Sequence, residues 1–135
     1  MKIIKTEVLI QHGEFFESVE FANLLAEIEQ SIKKVVWPLS ETTFNINPTK
    51  KGNGVKPIKN GCMDYLAKAG WELENRLKIT SDLRPGPLDA TKNLSAGVFA
   101  LEWETGNISS SHRAINKMIV GLLEGALLGG ILILP

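Results

Sequence analysis

The stretch GVFALEWETGNISSSHRAINKMIVGLLEGALLGGILIL, residues 97–134, decides the fold. Gly97 to Glu104 is apolar and β-prone, which reads as a central strand. After Gly106-Asn107 a helix starts, with Ser109, Ser110 or Ser111 as its N-cap. It continues through Ile115, Met118, Ile119, Leu122, Leu123, Ala126 and Leu127 until Gly129 or Gly130 closes it. Ile131 to Leu134 is then a fully apolar strand. Strand, helix, strand is a βαβ unit, whose two strands run parallel.

Upstream of this unit the periodicities change. Residues 2–10 alternate weakly and read as a short strand. From 14 to 36, Phe15, Val19, Ala22, Leu25, Ile28, Ile32, Val35 and Val36 recur at helical steps, and Trp37-Pro38 ends the helix. Residues 38–59 have turn-forming Pro, Gly and Asn and no sustained period, so they read as a loop. Residues 60–69 read as a helix capped by Asn60 and stopped at Gly70. Trp71, Leu73, Asn75, Leu77 and Ile79 then alternate with charged residues, the pattern of an edge or half-covered strand. Residues 84–88, RPGPL, form a turn leading to Asp89, and Lys92-Asn93 begins the connection to the next strand. The expectation is an α/β domain with a central mixed sheet flanked by helices. It spans 1–135, with an N-terminal helix and lysine-rich loop (1–59) and a core (60–135).

Composition narrows the function classes. The 135 residues are 44% hydrophobic and 22% charged, as in a globular protein that buries a core. Lys plus Arg and Asp plus Glu are 15 each, so bulk charge is silent about nucleic acid and only local clusters bear on it. Lys50, Lys51, Lys56 and Lys59 form such a cluster, free of acids; a phosphate clamp and a solvated loop are both open readings. A single cysteine, Cys62, excludes an internal disulfide, and the opening MKIIKTEVLI is too short in apolar run for a secretory signal. A cytoplasmic address follows as the default. Residues 118–134 are apolar, with Gly121, Gly125 and Gly129 at membrane-dimer spacing, but Glu124 near their middle argues against a membrane span. Nothing resembles GxSxG, a P-loop, a zinc spacing or a CxxC pair.

The chemistry lies in Asp89 and, thirteen residues on, Glu102 and Glu104. Side chains two apart on a strand share a face about 6.5–7 Å apart along it. Two acids there, with Asp89 from the neighbouring strand or turn, make a Mg²⁺ site for phosphodiester chemistry. The same spacing equally describes a turn-ending aspartate and two solvent-facing glutamates.

PLDATKNLSAGVFALEWETGNISSSHRAINKM, residues 87–118, resembles the PD-(D/E)XK nuclease core, and more closely the type II restriction endonucleases of the BamHI and BglII kind. The resemblance covers roughly residues 60–135 and implies a restriction-endonuclease-like three-layer core. It implies a Mg²⁺-dependent hydrolase of DNA phosphodiester bonds, with Asp89 and Glu102 as metal ligands. The last motif position is usually Lys in the superfamily; here it is Glu104, as in the BamHI variant. Glu104 is thereby the residue that orients or deprotonates water, with general base and metal-tuning acid both open. Asn107 and Ser109 fall where that family contacts DNA bases, and Ser110 and Ser111 approach DNA beside them. His112, Arg113 and Lys117 are placed to reach the DNA backbone, or form a solvated helix face. An extra acid from the long N-terminal helix, Glu20 or Glu27, fits the family too. Such enzymes act as homodimers on palindromic double-stranded DNA, so a homodimer is implied by resemblance. Two other readings stand beside the nuclease: a non-catalytic or truncated DNA- or partner-binding domain, suggested by a chain that stops on an apolar strand, and a membrane-associated protein.

Overall fold

The computed structural model describes residues 1–47, 55–79, 85–105 and 107–135, with the side chain of Val55 outside the description. The chain falls into two compact units, Met1–Ala69 and Gly70–Pro135.

The first unit is helical. A short 3₁₀ turn, Glu14–Glu17, precedes α1, Val19–Lys33. Ser18 caps α1: its Oγ accepts the Phe21 N–H at 3.1 Å, satisfying a donor that the first helical turn leaves unpaired. Leu24, Ile28 and Ile32, four residues apart, form one buried stripe. They lie with Ile58, Cys62, Met63 and Leu66 of α2 in the buried core of this unit, and Ser31 Oγ meets Cys62 Sγ at 3.1 Å.

Two expectations fail here. α2 runs from Val55 to Lys68, so Lys56 and Lys59 are helical and Asn60 is an interior residue rather than a cap. Pro57 does not break this helix, because at the third helical position its missing N–H costs nothing, first-turn donors having no intrahelical partner. Lys50 and Lys51 lie outside the described residues. Residues 2–10 form no strand: Ile4 is 97% and Ile10 88% exposed, and no described strand pairs with them. Without a partner to bury one face, alternation alone does not make a strand.

The second unit is the α/β part: a four-stranded mixed sheet with strand order β1-β2-β3-β4. β1 is Glu72–Asn75, β2 Leu88–Leu94, β3 Gly97–Trp103 and β4 Gly129–Ile133, with α3, Ile108–Leu123, between the last two. β1 pairs antiparallel with β2, β2 antiparallel with β3, and β3 parallel with β4, in register Phe99↔Gly129 to Trp103↔Ile133. The expected βαβ unit is therefore present, and β1 is an edge strand as its wet alternation implied. It is shorter than the alternation, ending at Asn75, and carries a local irregularity at Glu74, which takes φ 51°. Gly70, at φ 87°, ends the preceding helix as expected.

Lys92 and Asn93 belong to β2, and the turn falls at Ser95-Ala96. α3 ends at Leu123, earlier than its apolar run, because Gly125 at φ 67° turns the chain and Ala126 and Leu127 bond back to the Gly121 carbonyl. Leu88, Ala100, Met118 and Leu127 form the core between helix and sheet, with Leu77, Val98 and Leu132 against it. Among the described residues no helix is long and apolar enough to cross a membrane.

Candidate active site

β3 carries the acids because its other positions are apolar enough to bury it. Phe99 to Trp103 are all buried, and Glu102, at 1% exposure, is buried with them. Taking a carboxylate out of water is costly unless charge or hydrogen bonds compensate it. Two sources of compensation are present. The Asp89 backbone N–H donates to it, and the Lys117 ammonium on α3 makes an ion pair with its Oε1.

Burial outweighs this help. It raises the Glu102 pKa to about 7 from 4.5, the Lys117 hydrogen bond and charge pull it down, and the Asp89 charge pushes it up again. That mutual repulsion makes Asp89 and Glu102 electrostatic neighbours, one of the two arrangements the spacing allowed.

Asp89 is the second residue of β2 and is half-buried. The β2–β3 ladder reaches Ala90↔Leu101, and one residue beyond it the Asp89 side chain takes over: Oδ2 accepts the Trp103 N–H at 2.8 Å. The aspartate is thereby fixed to the strand that bears Glu102. It is a strand residue, delivered by β2 rather than by the turn before it.

Glu104 follows β3 directly and is half-buried, its N–H donating to the Ile133 carbonyl at 3.0 Å. Among the described residues no three His, Cys, Asp or Glu side chains gather as a metal cluster. The close acids are the pair Asp89 and Glu102. With the Pro87 carbonyl, which faces the same ammonium, they offer hard oxygen donors of the kind Mg²⁺ takes, one or two carboxylates plus other oxygens. The donor set fits such an ion.

Asn107 is the N-cap of α3, correcting the serines: its Oδ1 accepts the Ser109 N–H at 3.0 Å. Asparagine is as good a cap as serine and stands first in the sequence. Ser111 Oγ donates to the Asn107 carbonyl at 3.2 Å, and Arg113 Nη2 to Ser110 Oγ at 3.4 Å. Asn107, Ser109, His112 and Arg113 are exposed at this helix start. Lys56 and Lys59 lie on α2, and Glu20 and Glu27 on α1, all in the first unit.

Lys117 is the residue whose place the sequence reading missed. Read as a DNA-backbone contact or a solvated side chain, it instead pairs with Glu102 and donates to the Pro87 carbonyl at 2.8 Å. A signal existed: Ala114, Lys117, Met118 and Gly121 fall at helical steps of three, one and three, so the lysine shares the buried stripe of α3. A lone cation in an apolar stripe points to a buried anion opposite.

The sequence profile of the family described as Restriction endonuclease BamHI matches residues 1–135. The chain is 57% identical over 136 aligned residues to the type II restriction enzyme OkrAI of Oceanobacter kriegii, an alignment covering 100% of this chain and 68% of that protein. It is 38% identical over 117 residues to the type II restriction enzyme BamHI of Bacillus amyloliquefaciens, covering 81% of this chain and 55% of that one.

Proposed function

Since the chain belongs to the BamHI restriction endonuclease family, we propose that it is a type II restriction endonuclease of the PD-(D/E)XK superfamily that hydrolyses phosphodiester bonds of double-stranded DNA with Mg²⁺. The observation that carries the chemistry is the adjacency of Asp89 and Glu102, one fixed to the β3 backbone and the other buried in that strand. Acids held this way are prepaid in orientation, which is what positioning catalysis needs.

Asp89 and Glu102 hold the ion. When bound, Mg²⁺ lowers the pKa of a water and offsets charge building on the scissile phosphate. Glu104, just past the strand end, orients the attacking water and receives its proton, or tunes the ion as an additional acid. Asn107, Ser109, Ser110 and Ser111 approach base edges from the start of α3, where short polar groups and a helix N-terminus suit bases and phosphates. His112 and Arg113 reach the DNA backbone from the same helix, and Lys56 and Lys59 contact phosphates from α2. The enzyme works in the cytoplasm as a homodimer, whose two-fold axis matches a palindromic site.

Supercoiled plasmid incubated with the full chain and Mg²⁺ tests this reading, beside Glu102→Ala. Linear DNA should give discrete fragments with the parent and none with the variant. A plasmid left equally intact by both across several divalent metals would sink the enzyme reading, and retained DNA binding in that case selects a non-catalytic binding domain.

A further inference from the structure

Lys117 is a charged side chain touching the Glu102 carboxylate, and the proposed mechanism leaves it without a task. It stands on the buried stripe of α3, immediately before Met118, and reaches the end of β3. Its ammonium pairs with Glu102 Oε1 and donates to the Pro87 carbonyl at 2.8 Å. Glu102 Oε1 has no other partner among the described residues. The Lys117 and Glu102 side chains are 15% and 2% exposed, so the contact is little screened by water.

A carboxylate oxygen and a backbone carbonyl oxygen converging on one positive charge are the donors from which hard divalent sites are built. The ammonium thus occupies a cation position.

We propose that Lys117 is a positioning residue, a tethered counter-ion that holds the Glu102 carboxylate in place and that an incoming divalent cation displaces from Glu102 Oε1. The exchange is charge-balanced without a covalent step: the ammonium keeps its proton, and its flexible four-carbon stem swings the head toward solvent. Displacing it opposes metal binding, and its absence leaves a buried acid uncompensated and ready for a cation. The inference rests on the metal reading above.

Mn²⁺ binding to the full chain, followed by electron paramagnetic resonance in alkaline buffer, separates the two. Lys117→Met should bind Mn²⁺ about tenfold more tightly than the parent, and Mn²⁺ should raise its Tm by more. Lys117→Arg, which keeps a cation, should stay near the parent. Parent binding lost in Asp89→Asn but unchanged or weaker in Lys117→Met overturns the counter-ion role alone. No binding in the parent or in Lys117→Met overturns the metal reading together with it. Should Lys117→Met fail to fold, the parent still decides: Ca²⁺ should shift the Lys117 side-chain ammonium resonance, and an unmoved resonance overturns the exchange.

Discussion

Glu102 joins the sheet's packing to its chemistry, because the burial that orders its carboxylate also makes its charge costly. Its pKa of about 7 in the folded, metal-free chain exceeds the ordinary 4.5, so between those values the folded state binds the proton that the unfolded chain releases. The protonated carboxyl therefore contributes stability that is complete below about 4.5 and lost as pH rises through about 7. Urea midpoints of the metal-free parent should fall across that window by an amount that Glu102→Gln largely abolishes, since the amide has no proton to lose. A variant whose midpoints fall as steeply as the parent's would assign the pH dependence elsewhere. Asp89 could be read as the partner acid because its spacing from Glu102 suits two adjacent strands. Its hydrogen bond to the Trp103 N–H could not, since it arises where the ladder stops, a feature of three-dimensional register.

At the scale of elements, β3, α3 and β4 were legible because each announces itself by a long apolar pattern with one period. What escaped were boundaries set by single residues: the cap at Asn107, the turn at Gly125, and the start of α2 ahead of Pro57. Lys117 escaped for a related reason, since whether a lysine on a helix meets solvent or a buried acid depends on the sheet it packs on. The cap makes Asn107 structurally useful whatever it does to DNA. Asn107→Ala should cost about 1 kcal/mol of stability, read from denaturant midpoints. Asn107→Asp preserves the cap, so cleavage lost in that variant at unchanged stability is the signature of a base contact. Gly121 marks the tightest contact of α3: a Cβ there would sit 2.6 Å from Leu127 Cδ1 and 2.7 Å from Leu77 Cδ1. Gly121→Ala should therefore destabilise by about 1–3 kcal/mol through overpacking, although alanine is ordinarily the better helix former. A gain in Tm would show that Leu77 and Leu127 yield freely.

For the whole molecule, neutrality is the constraint that shapes recognition. With 15 basic and 15 acidic residues, net charge gives no pull toward a polyanion, so phosphate affinity has to come from placed cations. The family match spans both compact units, which gives the basic residues of the helical unit a stake in the function proposed for the other. Lys56 and Lys59 lie three residues apart on α2, a spacing that sets two side chains on one helix face. If both neutralise phosphates, the double variant Lys56→Ala, Lys59→Ala should lower the magnitude of the log K against log salt slope by about 2, because each contact releases close to one counterion. Sequence preference should survive, since phosphate contacts orient a protein on DNA and base contacts discriminate. The measurement is a salt titration of DNA binding in Ca²⁺, parent beside variant. An unchanged slope would remove α2 from the interface and leave Asn107, the serines, His112 and Arg113 of α3 to account for binding alone.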